Sequence, residues 1–333
     1  MSNPRSNARP LLSRASRIGL ALATLAMLSL RAAPSLAADA VERLYDPPVG
    51  SHWLIDTETS TESQRPEGLQ TSLIKTHAEV SIDEKTAAGF RISYVNRAAT
   101  ADGTAPMLLI VRSAIKALEN VTIHATTDLF GKPVRVDNLD EARTAMRAMV
   151  DTMMAPFEDK PQLAAVLNQM MNKMIDVDAG QAASVYLEEL PMLARAQNTG
   201  MKPGDVRHST DTAVNPLGGG VLKSNSAFEL TEADAATGKR VFVRTTAYDN
   251  ASMQEMTQSV TKKLLAASGD AAKADQIEKL VKSMALSLDE RTIFEVEDGM
   301  TRKVSEKAVT LASAMGHQTS KTETKIITVT RAP

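Results

Sequence analysis

From Leu73 to Asp83 the chain alternates strictly, with Ile74, Thr76, Ala78, Val80 and Ile82 on one face and Lys75, His77, Glu79, Ser81 and Asp83 on the other. A period of two marks a β-strand with one face toward a core and the other toward water. Thr86-Ala87-Ala88-Gly89 then turns the chain into Phe90–Arg97, where Phe90, Ile92 and Tyr94 alternate with Arg91 and Ser93. With a strand over Ser51–Thr61, opened by the Pro47-Pro48-Val49-Gly50 breaker, this predicts a three-stranded antiparallel meander.

A hairpin pattern occurs twice. Asn120–Val136 reads as strand, turn and strand, and Arg291–Val304 repeats it: Thr122-Ile123 answers Thr292-Ile293, Asp128 and Gly131 answer Asp298 and Gly299, and Arg135-Val136 answers Lys303-Val304. Ala87, Gly89 and Arg91 likewise answer Ala236, Gly238 and Arg240. Strands near Asp205–Asp211, Val221–Thr231 and Lys239–Tyr248 follow the order of the first half, with a Gly218-Gly219-Gly220 turn among them. Lys321–Thr330 supplies a closing strand in which Ile327 and Val329 alternate with Lys325 and Thr328. The reading is of one module used twice.

Between the halves the period changes to that of a helix. Asn138 stands as an N-cap before acidic Asp140 and Glu141, and Met146, Met149, Val150 and Met153 then mark one apolar face. Pro156 ends that helix and Pro161 opens the next, whose face carries Val166, Leu167, Met170, Met171 and Met174, while Asp178 caps a third. Other helices are expected over Met107–Leu118, Ser252–Ala267 and Ala271–Ala285, where Ile277, Leu280, Val281 and Met284 share a face. The expected fold class is therefore α+β, with two related curved antiparallel β-sheet halves, or one continuous sheet, covered by amphipathic helices and interrupted by a methionine-rich insertion. The segments are 1–37, a signal peptide; 38–138, a first β-rich half; 139–196, the insertion; and 197–333, a second β-rich half. In outline this element order is similar to the helix-plugged, curved sheets of periplasmic lipoprotein carriers, a likeness of architecture that no motif carries.

Residues 1–37 hold Arg5, Arg9, Arg14, Arg17 and Arg31 without an acid, and an apolar run Ile18–Leu30 ends in Ser35-Leu36-Ala37. That composition is a Sec-type secretory signal, cleaved after Ala37 or Ala38, and its apolar run is shorter than the roughly 20 residues of a spanning helix. The location expected is the bacterial periplasm or the exterior, with no transmembrane segment after cleavage. Loss of those arginines takes the formal net charge from −2 to −7. A mildly acidic surface without a basic stripe excludes nucleic acid as a partner. The absence of cysteine rules out disulfide staples, which a chain of this length does not need.

No chemistry-bearing motif survives inspection. His52, His77, His124, His208 and His317 are scattered and never share a helical face, so no metal site is assigned. Asp176-Val177-Asp178-Ala179-Gly180 lacks the ligands of a calcium loop at the decisive positions. Ser72-Leu73-Ile74-Lys75 and Ser259-Val260-Thr261-Lys262 spell S-x-x-K without the partner signatures of that nucleophile, and the nucleotide-binding, G-x-S-x-G and zinc-protease patterns are missing. No catalytic residue and no cofactor is assigned. The unusual feature is Met146, Met149, Met153, Met170, Met171 and Met174, polarizable and adaptable side chains that either plug an irregular core or line a groove for varied apolar partners. A thioether copper site is the weaker reading, because their spacing already describes a helix face. Three function classes follow: a non-enzymatic carrier holding a lipid, an apolar ligand or a protein segment; a structural or interaction protein of the envelope; and, third, a hydrolase.

Overall fold

The computed structural model describes residues 42–65, 68–104, 108–155, 161–214, 221–268, 285–314 and 317–332. The predicted signal, the glycine turn at 218–220 and most of the helix expected at 271–285 lie outside them.

The chain runs β1 (His52–Arg65), β2 (Gly68–Thr86), β3 (Gly89–Gly103), α1 (Leu108–Ala117), β4 (Thr122–Thr127), β5 (Pro133–Val136) and α2 (Leu139–Met154). It continues as α3 (Pro161–Ile175), α4 (Ala179–Tyr186), α5 (Glu189–Ala194), β6 (Val206–Val214), β7 (Val221–Ala233), β8 (Arg240–Tyr248) and α6 (Asn250–Ser268). It closes with β9 (Ala285–Glu297), β10 (Met300–Ala314) and β11 (His317–Arg331). All strands join one antiparallel sheet of 11 strands in the order β5-β4-β3-β2-β1-β11-β10-β9-β8-β7-β6.

The expected α+β class, with helices covering two sheet halves, is thereby corrected to a single, mostly β structure. The physical reason is the seam. β1 and β11 pair in register from Trp53↔Arg331 to Gln64↔Ser320, so that the first and last strands lie side by side in the interior of the sheet. Strand alternation records which face a residue occupies, but it does not record a partner that far along the chain.

One face of the sheet carries the core. Ala78, Val80 and Ile82 of β2 and Phe90, Ile92 and Tyr94 of β3 are buried, as their alternation predicts, and they pack with Ala182, Ala183, Tyr186, Leu187 and Leu190 of α4 and the segment that follows it. The helices form a connected cover: α1 packs on β3 and α2, α2 on α3, α3 on α6, α4 on β5, α5 on β10, and α6 on β7 and β9. Asp178 caps α4 by accepting from the N–H groups of Gly180 at 2.9 Å and Gln181 at 2.8 Å. Asn138 occupies the N-cap of α2 but gives its amide to the sheet, accepting from His124 N at 2.8 Å and donating to the Thr122 carbonyl at 2.9 Å. The β9–β10 hairpin turns on Asp298 and Gly299, both at positive φ, the primed geometry that matches strand twist.

Candidate functional site

Across the second half, facing residues on the helix-bearing side form registered rows. Ile327, Val304, Phe294, Phe242 and Leu230 stand opposite one another on β11, β10, β9, β8 and β7, and each is at most 1% exposed. Two residues further along every strand, about 7 Å away on the same face, the row reads Lys325, Glu306, Thr292, Arg244 and Phe228. The next row is Glu323, Ala308, Glu290, Thr246 and Ser226. An apolar floor gives way to a charged one within a single step.

These charges are not simply solvated. The side chains of Lys325, Glu290 and Arg244 are only 13%, 13% and 15% exposed. Taking a charge out of water is expensive unless a partner meets it. Most are met. Arg244 donates to Ser226 Oγ at 2.9 Å and lies 3.4 Å from both Glu290 and Asp211. The Tyr248 hydroxyl donates to Glu290 at 2.9 Å, and burial, then the Glu290 charge, push its pKa up to about 12. Lys325 pairs with Glu188 at 2.5 Å.

The short helix α5 packs on β10 before the buried row, where Thr301 Oγ1 donates to the Leu193 carbonyl at 2.6 Å. Its buried Glu189 accepts from the Tyr94 hydroxyl at 3.4 Å, and burial, then the Glu188 charge, raise the Glu189 pKa. Just past the helix stands Arg195, which is exposed. Burial, then the Arg244 charge, lower its pKa, yet the side chain is reached by solvent. Among the described residues the Arg195 guanidinium has no ion-pair partner, and Glu306 has only a long 3.4 Å contact from Thr292 Oγ1. Burial and the Glu290 charge raise the Glu306 pKa.

The methionines singled out by their spacing lie on α2 and α3. Met146 packs against the core beside buried Val150, while Met149, Met153 and Met171 are half-buried; the side chains of Met170 and Met174 lie outside those described. Beyond the charged rows Leu288 stands in line with Thr310 and Lys321, and Leu286 with Ala312 and Thr319; Leu286, Leu288 and Ala312 are half-buried, as is Ile74 on β2.

β6 to β11 line a cavity of about 900 Å³ that is bounded by Ala227, Ala247, Ile293 and Val309, with His208 and Lys307 beside them, and that is also reached by Ser226, Thr246, Glu290 and Glu306 of the charged rows. None of the six methionines lines it. His77 pairs with Asp56 at 2.7 Å and His124 meets Ser93 at 2.9 Å, contacts of a solvated strand face. Among the described residues no group of three or more His, Cys, Asp or Glu is placed to hold a metal ion, and no helix is long and apolar enough to cross a membrane.

Alternation held one trace of the charged rows that was misread. Lys325 shares the parity of Ile327 and Val329, so it lies on their face and not across from it. Glu306 and Arg244 belong to separate strands, and only register through Thr292 brings them into one row.

No protein-family model and no curated protein matches the sequence. Among solved structures, the chain is similar to one described as lipid–protein interactions in lipovitellin, at 7% identity and a TM-score of 0.42, over 86% of this chain and 26% of that one. It thus spans about a quarter of the lipovitellin chain. It is also similar to an outer membrane channel of Pseudomonas putida F1, at 7% identity and a TM-score of 0.18 over 88% and 100% of the two chains. OpdL of Pseudomonas aeruginosa follows, at 7% and 0.20 over 85% and 99%. At TM-scores this low the reading of this chain rests on its own residues.

Proposed function

We propose that the protein is an exported, non-enzymatic binding or carrier protein of the bacterial periplasm, and that it holds an apolar ligand or protein segment between the sheet and the methionine-bearing helices. One observation carries this reading. Ile74, Leu286, Leu288 and Ala312 on the sheet and Met149, Met153 and Met171 on the helices are apolar residues left half-covered on the helix-bearing side. Apolar surface left partly exposed within a fold is the usual signature of an interaction site, and methionine suits one that adapts to its occupant. The six methionines are the contact residues of this reading. The same reading takes 38–138 and 197–333 as copies of one module, since each runs three strands, a helix and further strands.

The test is a solvent extract of the purified mature protein, analysed by mass spectrometry, with binding of an apolar fluorophore measured alongside. Co-purifying apolar ligand is expected, and Met149→Glu and Met153→Glu are expected to weaken fluorophore binding at least tenfold while the protein stays folded. Absence of both ligand and fluorophore binding would favour a structural role in the envelope instead.

A further inference from the structure

Register sets two like charges side by side on the sheet. Lys307 of β10 stands directly opposite Arg291 of β9, which puts their Cβ atoms about 5 Å apart. The row runs on to Thr324 on β11 at one end and through Thr245, Ala227 and His208 on β8, β7 and β6 at the other. The whole of this row lines the cavity of about 900 Å³. By strand alternation it projects from the face opposite to the one that carries Glu306 and Glu290, the sequence neighbours of Lys307 and Arg291.

Like charges placed opposite one another on a sheet lower its stability unless something neutralises them. Among the described residues neither Lys307 nor Arg291 has an ion-pair or hydrogen-bond partner for its side chain. Asp289, one row along and about 7 Å from Arg291, shares that face of the cavity and pairs with neither cation. Both cations are exposed, so an incoming group can reach them. Hydroxyls stand next to the charged pair on Thr324, Thr245 and Ser305, and the floor is apolar at Ile293 in the row on one side and at Val309 and Ala247 in the row on the other.

The volume is that of a small-molecule site and not of a simple ion. A carboxylate would neutralise one of the two cations and leave the other. A phosphate monoester carries close to two negative charges near neutral pH and three acceptor oxygens, enough for a bidentate guanidinium and an ammonium together. We propose that the Lys307–Arg291 row is a binding site for an amphipathic phosphate monoester, its phosphate held between the two cations and its apolar body lying over Ile293, Val309 and Ala247. The site is on the other face from Leu286, Leu288 and Ala312 and does not depend on the carrier reading.

The experiment titrates the mature protein by calorimetry at about pH 7.5, where the monoester is mostly dianionic, with octyl phosphate, octyl glucoside and glycerol 3-phosphate, each kept below its micellar concentration. Octyl phosphate is expected to bind at least tenfold more tightly than the neutral glucoside, which lacks the charge, and than glycerol 3-phosphate, which lacks the apolar body. Arg291→Gln and Lys307→Gln, verified as folded by circular dichroism, are each expected to weaken octyl phosphate at least tenfold, and Met149→Glu to leave it unchanged. Equal binding of octyl phosphate and octyl glucoside, or a preference that survives both glutamine substitutions, overturns the site. Loss of octyl phosphate binding in Met149→Glu overturns it too, because the ligand would then sit on the helix-bearing face. Glycerol 3-phosphate binding as tightly as octyl phosphate overturns the amphipath and identifies a free phosphorylated metabolite as the ligand. Apolar fluorophore binding that persists in both glutamine variants keeps the carrier reading separate from all of these results.

Discussion

Lys325 and Glu306 face each other across β11 and β10, one step along the same face from the fully buried pair Ile327 and Val304. The pairing alone does not neutralise Lys325, which turns instead to Glu188 at 2.5 Å before α5. A sheet residue and a helix approach are thus tied at the point where the core ends. The neighbouring Glu189, the buried first residue of α5, is the group whose ionisation is resisted by burial, then by the Glu188 charge.

Glu189 gives a pH signature. Burial, then the Glu188 charge, raise its pKa above the ordinary value of 4.5, against the opposing effects of Lys325 and the Tyr94 hydroxyl. The folded state therefore holds more protons than the unfolded one over that interval, and stability falls as pH rises from the ordinary carboxylate range through the raised value. Glu189→Gln removes the step. In melts taken from about pH 4 to about pH 8, the variant is expected to gain on the wild type as pH rises, with the two converging at the acid end. A constant gap across the series would show that Glu189 does not titrate in this way.

Near the start of the described chain, Glu42 accepts from the N–H groups of Thr199 at 2.8 Å and Gly200 at 2.6 Å and pairs with Arg240. Arg240 also donates to the Met201 carbonyl and lies over the Phe242 ring at 5.0 Å. The side chains of Arg240 and Glu42 are 8% and 16% exposed. Glu42→Ala strands a buried cation, and a loss of about 3–5 kcal/mol in chemical denaturation is expected. The double variant E42A/R240M leaves no unpaired charge and should lose less than Glu42→Ala alone. An additive loss would mean that the pair is not coupled.

Two glycines in left-handed geometry separate backbone strain from crowding. Gly204, at φ +86°, has open space where a Cβ would stand, whereas Gly299, at φ +78°, would place one 2.4 Å from the Leu44 carbonyl oxygen. Gly204→Ala is expected to cost about 1 kcal/mol from the dihedral alone. Gly299→Ala adds displacement of the Leu44 backbone and should cost clearly more by the same denaturation measurement. Equal costs would show that the 43–44 segment yields freely.

What was legible in the sequence was local. Ala78, Val80 and Ile82 announce the buried side of β2 because adjacent pleats point opposite ways, and Asp178 announces its helix because a carboxylate at that position meets free N–H groups. The N-cap expected at Asn138 was legible in place but not in partner, since β4 competes for its amide. The single sheet was not legible, because Trp53↔Arg331 is a pairing of chain ends that no window contains. Arg244 and Glu306 escaped for the same reason: each is an ordinary charged residue until register sets them in one row.

The seam between β1 and β11 also governs when the structure can exist. In synthesis β1 comes early, and the 15 residues of β11 come only after β2 to β10. Until then each half ends in a raw edge where its neighbour will lie, and the long-range pairing that joins them is of the slow kind. The centre of the sheet therefore closes late, once β11 has been made, and neither half can complete it alone.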